Sequence, residues 1–291
     1  VNALAAMLDP GDEVILPAPC WVSYPEMIGM AGGKAVWVYA DEGEGFIPPI
    51  ERIRAAVTER TKAIILNSPS NPTGAVWSRE QLLAVGELAV EKDFYIISDE
   101  IYDKLLYDGA EATSVPSLSP AIYARTVLIN GWSKAYAMTG WRLGYAAGPK
   151  RLIAAMSAYQ SHATGNPNSI AQAAGLAALT GDQSCVSQMV AAFARRRELA
   201  LGLIARMPQV SCFVPRGAFY IMLNVKNLIG KQYGGREIQS DGDVAVVPGG
   251  PFGAPGYCRI SYAAADNRLA EALRRIKLFL YNLETAQAME A

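Results

Sequence analysis

Thr126-Val127-Leu128-Ile129-Asn130-Gly131-Trp132-Ser133-Lys134 is a short apolar run that breaks into a glycine-containing segment ending in a lysine. Thr126–Ile129 reads as a strand covered on both faces, with Lys134 just past its carboxyl end. The same pattern occurs twice upstream. Lys62–Leu66 runs into Ser68-Pro69-Ser70-Asn71-Pro72-Thr73-Gly74, and Phe94–Ile97 runs into Ser98-Asp99-Glu100-Ile101-Tyr102. Glu13–Leu16, Ala35–Tyr39 and Leu143–Ala146 read as further strands. Helical patterns separate them. Ser78-Arg79-Glu80-Gln81 is a capping box that opens a helix through about Lys92, with Leu82, Leu83, Val85 and Leu88 for its buried side. Alternating strands and helices predict an α/β domain with a largely parallel sheet between helices. Ligands of open α/β sheets collect beyond the carboxyl ends of the strands, so Asn71, Asp99 and Lys134 are expected at one edge.

From Lys150 to about Met207 the pattern becomes mainly helical, broken at Gly165-Asn166-Pro167 and Thr180-Gly181-Asp182. A second strand-bearing region comes next, in Ala218–Asn224, Val244–Val247 and Tyr257–Ser261. The last helix carries Leu269, Leu273, Ile276, Leu280 and Leu283 as one apolar stripe. The domain boundary is expected in the helix between Ser187 and Met207, dividing a large domain (1–190) from part of a smaller α+β domain (191–291). The chain opens at Val1 in what reads as the tail of a helix, so a further N-terminal portion is expected.

Composition narrows the classes. The 291 residues are 51% hydrophobic and 18% charged, enough for a large core plus a smaller domain. A net charge of −1, without charge blocks, gives no reason to expect a nucleic acid or membrane-surface partner. Every apolar run is interrupted before the ~18 residues of a spanning helix. The four cysteines, Cys20, Cys185, Cys212 and Cys258, lack CxxC spacing and read as reduced, mostly buried thiols of a cytoplasmic protein, with no metal site. His162 is the only histidine, which excludes multi-histidine metal sites and leaves little room for a Ser-His-Asp hydrolase. Its expected place is a helix surface or interface. No GxGxxG follows a strand, so hydride transfer on a bound dinucleotide is a poor reading.

Lys134, Asp99 and Arg142 form a coherent chemical set. A lysine that condenses with a carbonyl must spend time unprotonated, which takes burial or cationic neighbours. Small and apolar residues surround Lys134 in sequence. A carboxylate such as Asp99 can hold a heteroaromatic nitrogen protonated, and Arg142 offers a planar cation suited to phosphate. Tyr102 lies three residues beyond Asp99, Trp21 could stack on a flat ring, and Arg259 could clamp a carboxylate. Taken singly, each has a blander reading as a surface charge or core aromatic.

These segments resemble the pyridoxal-phosphate enzymes of the class I aminotransferase family (fold type I), most of all its bacterial aspartate aminotransferase branch. The likeness extends to Asp9-Pro10-Gly11-Asp12-Glu13-Val14, Trp21-Val22-Ser23-Tyr24-Pro25, Met138-Thr139-Gly140-Trp141-Arg142 and Arg259-Ile260-Ser261-Tyr262-Ala263. The resemblance implies Lys134 as the lysine that binds pyridoxal 5'-phosphate, Asp99 at the ring nitrogen, and Asn71 and Tyr102 at the ring oxygen. It also implies Trp21 over the ring, Arg142 and Ser133 at the phosphate, and Arg259, with Asn71 and Trp21, at the substrate. The implied activity is ping-pong transamination between an L-amino acid, aspartate first, and a 2-oxo acid, 2-oxoglutarate first, in a homodimer. An aromatic or prephenate aminotransferase, a carbon–sulfur lyase, and a shortened chain without activity remain as alternatives. The chain departs from the family pattern at Gly131, where many relatives carry a serine. It departs again where Gln239–Asp243 run straight into Val244 without an intervening helix.

Overall fold

The structure, a computed structural model, describes residues 1–229, 232–233, 236–237 and 244–290. Its first sheet has six strands: β1 (Glu13–Ala18), β2 (Lys34–Tyr39), β3 (Thr61–Asn67), β4 (Tyr95–Asp99), β5 (Thr126–Gly131) and β6 (Gly144–Ala147). Their order is β2-β1-β3-β4-β5-β6. The first five are parallel, and β6 closes the edge antiparallel to β5. Each of these expected strands is present: β1, β2, β3 and β5 are one to two residues longer than expected, β4 starts one residue later and ends two later, and β6 is shifted by one. Asp99 therefore ends β4 rather than lying beyond it.

Alternation along these strands feeds two cores. Ile15, Ile64, Leu66 and Ile96 enter one, with Leu82, Val85 and Leu88 from the helix Arg79–Glu91. Val14, Leu16, Ile65, Ile97 and Val127 enter the other, with Met7 and Met156 from the helices Asn2–Met7 and Lys150–Ala163. Burial on both faces explains why the strands read as continuous apolar runs. The helix Arg79–Glu91 starts on a complete capping box, in which the Gln81 N–H donates to Ser78 Oγ and the Ser78 N–H donates to Gln81 Oε1.

Three further helices, Lys150–Ala163, Ser169–Thr180 and Ser184–Ile204, come after the first sheet. Then come β7 (Ser211–Cys212), β8 (Tyr220–Asn224), a two-stranded ribbon of β9 (Gln232–Tyr233) and β10 (Arg236–Glu237), β11 (Val247–Pro248) and β12 (Tyr257–Ser261). The second sheet runs β11-β12-β8-β7, all antiparallel. The expected strand Val244–Val247 is shorter and later, because pairing with β12 begins only at Val247 opposite Arg259. Leu269, Leu273 and Leu280 of the last helix, Asp266–Glu290, are buried against this sheet. The side chain of Leu283 and the segment Gln239–Asp243 lie outside the described residues. Cys20 and Cys258 are buried, Cys212 is half-buried and Cys185 is exposed, so the thiols are less uniformly buried than expected. His162 lies exposed on its helix.

Arg197 ties the helix Ser184–Ile204 to the Pro215 segment that leads into β8. Its buried guanidinium donates from Nε to the Pro215 carbonyl at 2.6 Å, pairs with Asp108 and Glu198, and lies over the Tyr107 ring. The Asn71-Pro72-Thr73-Gly74 turn docks on the same segment. The Gly74 carbonyl accepts from the Arg216 and Gly217 N–H groups at 2.9 and 3.0 Å. Gly74 has φ +71°, and a Cβ there would collide with Pro215, so glycine is required by backbone and space together.

Candidate active site

The carboxyl ends of β3, β4 and β5 open into a cavity of ≈560 Å³, closed from the other side by residues of β8 and β12. Its lining includes every residue singled out from the sequence: Trp21, Asn71, Asp99, Tyr102, Ser133, Lys134, Arg142 and Arg259. Residues from both ends of the chain thus meet in one small-molecule-sized space.

Lys134 is held by backbone architecture. At Gly131 the antiparallel pair of β5 and β6 comes so close that a Cβ would sit 2.8 Å from the Leu143 carbonyl oxygen and 2.9 Å from Gly144 Cα. That crowding leaves no room for a side chain at this position of the chain. Trp132 donates its indole N–H to the Gly175 carbonyl at 3.0 Å, anchoring the loop to the helix Ser169–Thr180. Thr139 Oγ1 donates to the Ser133 carbonyl at 2.9 Å, closing the turn that carries the lysine. The Lys134 amine stands 5.9 Å from the Tyr102 ring centre and 5.6 Å from that of Phe219. Burial lowers its pKa, the cations of Arg142 and Arg259 lower it further, and only Asp99 opposes them. The amine is therefore biased toward its neutral form.

Asp99 is half-buried by its surface exposure, and desolvation raises its pKa. A hydrogen bond donated by the Tyr24 hydroxyl at 2.6 Å, the Ile101 N–H at 3.2 Å and the Lys134 charge pull the other way. A carboxylate in this position lacks one full counter-charge. Tyr24, fully buried and pushed well up by desolvation and by Asp99, remains a donor. Beside it Trp21 packs edge-to-face at 5.4 Å.

Arg259 reaches in from β12. Its Nη1 donates to Asn71 Oδ1 at 2.8 Å, and the guanidinium lies between the rings of Tyr220 (4.6 Å) and Phe252 (4.8 Å). Its buried Nε has no partner among the described residues, an orphaned donor at a cavity wall. Arg142, in the left-handed conformation at φ +52°, donates from Nη1 to the Thr139 carbonyl at 2.8 Å. Arg142 lines the cavity, and its guanidinium carries further N–H donors beyond that bond.

The sequence did not single out Tyr24, Asn67, Thr139 or Tyr220, which also line the cavity. Tyr24 had a local signal, since it stands one helical turn after Trp21. Asn67 ends β3 and donates from Nδ2 to the Asp99 carbonyl at 2.9 Å, a contact visible only once β3 and β4 are paired.

An order of β2-β1-β3-β4-β5-β6 with a half-buried acid, a depressed lysine and two arginines around one cavity fits an α/β enzyme that works with a carbonyl-bearing cofactor. Comparison with known proteins agrees. Residues 1–276 match the family model for aminotransferase class I and II. Aspartate aminotransferase of Streptomyces avermitilis is 46% identical over 289 residues, covering 96% of this chain and 71% of that protein. Aspartate/prephenate aminotransferase of Cereibacter sphaeroides is 47% identical, covering 97% of this chain and 74% of that protein. The crystal structure of the aspartate aminotransferase from Rhizobium meliloti superposes with a TM-score of 0.92 at 41% identity, covering 97% of this chain and 73% of that one. The chain belongs to the class I and II aminotransferase family. It is a pyridoxal-phosphate-dependent aminotransferase of fold type I, acting between an amino acid and a 2-oxo acid.

Proposed function

We propose that this chain transfers the amino group of L-aspartate to 2-oxoglutarate, using Lys134, Asp99 and Tyr102 as its reacting and tuning groups. The observation that carries the reading is the Lys134 amine, biased to neutrality by burial and two arginines, lining the same cavity as the half-buried Asp99 carboxylate. The donor set fits pyridoxal phosphate: an amine for its aldehyde, an acid for its ring nitrogen, a guanidinium with spare donors for its phosphate.

When bound, the cofactor supplies an aldehyde for condensation and an electron-poor ring that accepts the electron pair left by Cα–H cleavage. Asp99 keeps the ring nitrogen cationic, and Tyr24 holds the Asp99 carboxylate in place. Arg142 and Ser133 would hold the phosphate, Trp21 the ring, and Asn71 and Tyr102 the ring oxygen. Arg259 receives the substrate α-carboxylate, which would satisfy its orphaned Nε while Nη1 stays on Asn71. Lys134, as a neutral amine, would take the proton from the substrate α-carbon. A neutral amine can do this; an ammonium cannot.

The choice of aspartate is supported by the relatives from Streptomyces avermitilis and Cereibacter sphaeroides. The second of these is also named for prephenate, which makes a prephenate-accepting enzyme the second reading. Incubation with aspartate and 2-oxoglutarate should yield glutamate and oxaloacetate. Release of pyruvate, ammonia and sulfide from L-cysteine, with no glutamate formed from aspartate, would identify an eliminating enzyme, and no product with aspartate but turnover with prephenate would favour the second reading.

The reading includes a homodimer, supported by exposed Ile170, Leu176 and Leu179 on the helix Ser169–Thr180 beside the Lys134 loop. It includes a cytoplasmic location, in keeping with free thiols at Cys20, Cys185, Cys212 and Cys258. It divides the chain near residue 190, within the helix Ser184–Ile204, between the two sheets.

A further inference from the structure

The Tyr102 hydroxyl has one protein partner among the described residues, and it comes from the second sheet. Tyr220, the first residue of β8, brings its own hydroxyl to 3.0 Å from that of Tyr102. The same Tyr220 ring lies 4.6 Å from the Arg259 guanidinium carbon. β8 and β12 are antiparallel with Met222 opposite Arg259, so Tyr220 is the diagonal neighbour of Arg259 across the ladder. One side chain thus touches both the phenol at one end of the cavity and the cation at the other.

We propose that Tyr220 is a positioning residue: its hydroxyl donates to Tyr102 and so frees the Tyr102 proton for the cavity, while its ring seats Arg259. The argument is a proton count. Each phenol has one proton and two acceptor lone pairs. If Tyr102 gave its proton to Tyr220, it would have none left to offer an oxygen in the cavity. If Tyr220 is the donor, Tyr102 accepts one bond and offers another. Arg259 lowers both phenols and lies directly against the Tyr220 ring, whereas the Asp99 charge raises Tyr102, so Tyr220 is the more acidic partner and the better donor. The other charged groups facing the pair are Lys134, over the Tyr102 ring, and Asp99. Phe219 packs edge-on against Tyr102 and tilted against Tyr220, fixing both rings. The inference rests on the reading of Tyr102 given above, as a donor to the cofactor's ring oxygen.

Tyr220→Phe removes the hydroxyl and keeps the ring. A donor aimed at the ring oxygen stabilises its anionic form, so a less well-directed Tyr102 raises the pH at which the bound chromophore loses its proton. In cofactor-loaded protein, the absorbance titration midpoint should rise by roughly 0.5–1 pH unit, the size of one neutral hydrogen bond. The Kd for maleate, a four-carbon dicarboxylate read by calorimetry, should stay within about 2-fold, because the ring under Arg259 remains. Tyr220→Leu should weaken maleate about 5-fold or more as well. Tyr102→Phe is the reference. If it moves the midpoint and Tyr220→Phe does not, the positioning role is overturned and the Tyr102 reading stands. If Tyr102→Phe leaves the midpoint unmoved, both are overturned.

Discussion

Replacing Asp99 by asparagine sets two demands of the site against each other. The carboxylate is half-buried, and desolvation raises its pKa despite bonds from Tyr24 and Ile101. The folded state therefore binds a proton more readily than the unfolded chain. Stability tied to this group is present below the unfolded value of 3.8 and is lost as pH rises through the raised folded value. At neutral pH the ionised acid is a cost to the cofactor-free fold, and an amide oxygen can still accept from Tyr24. Asp99→Asn should leave the cofactor-free protein at least as stable as the parent at pH 7.5 in a thermal melt. Catalysis should move the opposite way. A carboxylate about 4 Å from a cationic ring nitrogen is worth about 1 kcal/mol in water but about 4 kcal/mol in a partly buried site. Because Asp99 is half-buried, the larger figure applies. At 1.36 kcal/mol per decade that is a loss of roughly 10³-fold in single-turnover rate with aspartate, against roughly 5-fold for an exposed acid. A rate within about 10-fold of the parent would refute the assignment of Asp99 to the ring nitrogen.

Arg259→Lys keeps a charge but loses the planar fork, the bond to Asn71 and the orphaned Nε. KM for both amino acid and 2-oxo acid should rise roughly 10–100-fold in steady-state assays, and an unchanged KM would remove Arg259 from the carboxylate site. Arg197→Met leaves the Pro215 carbonyl unpaired, while the more exposed Asp108 and Glu198 can rehydrate. Urea unfolding should show a loss of about 2 kcal/mol, below that of a fully buried ion pair. Lys134 has a folded pKa below 10.5, so the folded state sheds its proton before the unfolded chain does. Stability of the cofactor-free protein should rise with pH from the lowered value up to 10.5, and Lys134→Met should flatten that slope; an identical slope in the variant would place the titration elsewhere.

Much of this site was readable because its groups sit at the ends of strands. Runs such as Lys62–Leu66 and Phe94–Ile97 announce parallel strands, and sheet geometry sends the residues just past them to one edge. Asn71, Asp99 and Lys134 were found that way without reference to relatives. Arg142, Arg259 and Trp21 were weak as single residues and gained meaning only from resemblance, since nothing local distinguishes a cavity arginine from a solvated one. Tyr220 was not legible at all. Its partner Tyr102 lies 118 residues away, and their contact depends on how the second sheet meets the first. Gly131 was read as a departure from the family. Its reason, the closeness of β5 and β6, is a fact of pairing between strands that no single strand carries.

The central claim is that the Lys134 side-chain nitrogen is the atom joined to the cofactor. Protein loaded with pyridoxal phosphate, reduced with borohydride, digested and sequenced by mass spectrometry should carry a stable pyridoxyl secondary amine on Lys134 and on no other lysine. A label on a different lysine, or loaded protein that takes up none, would contradict the account.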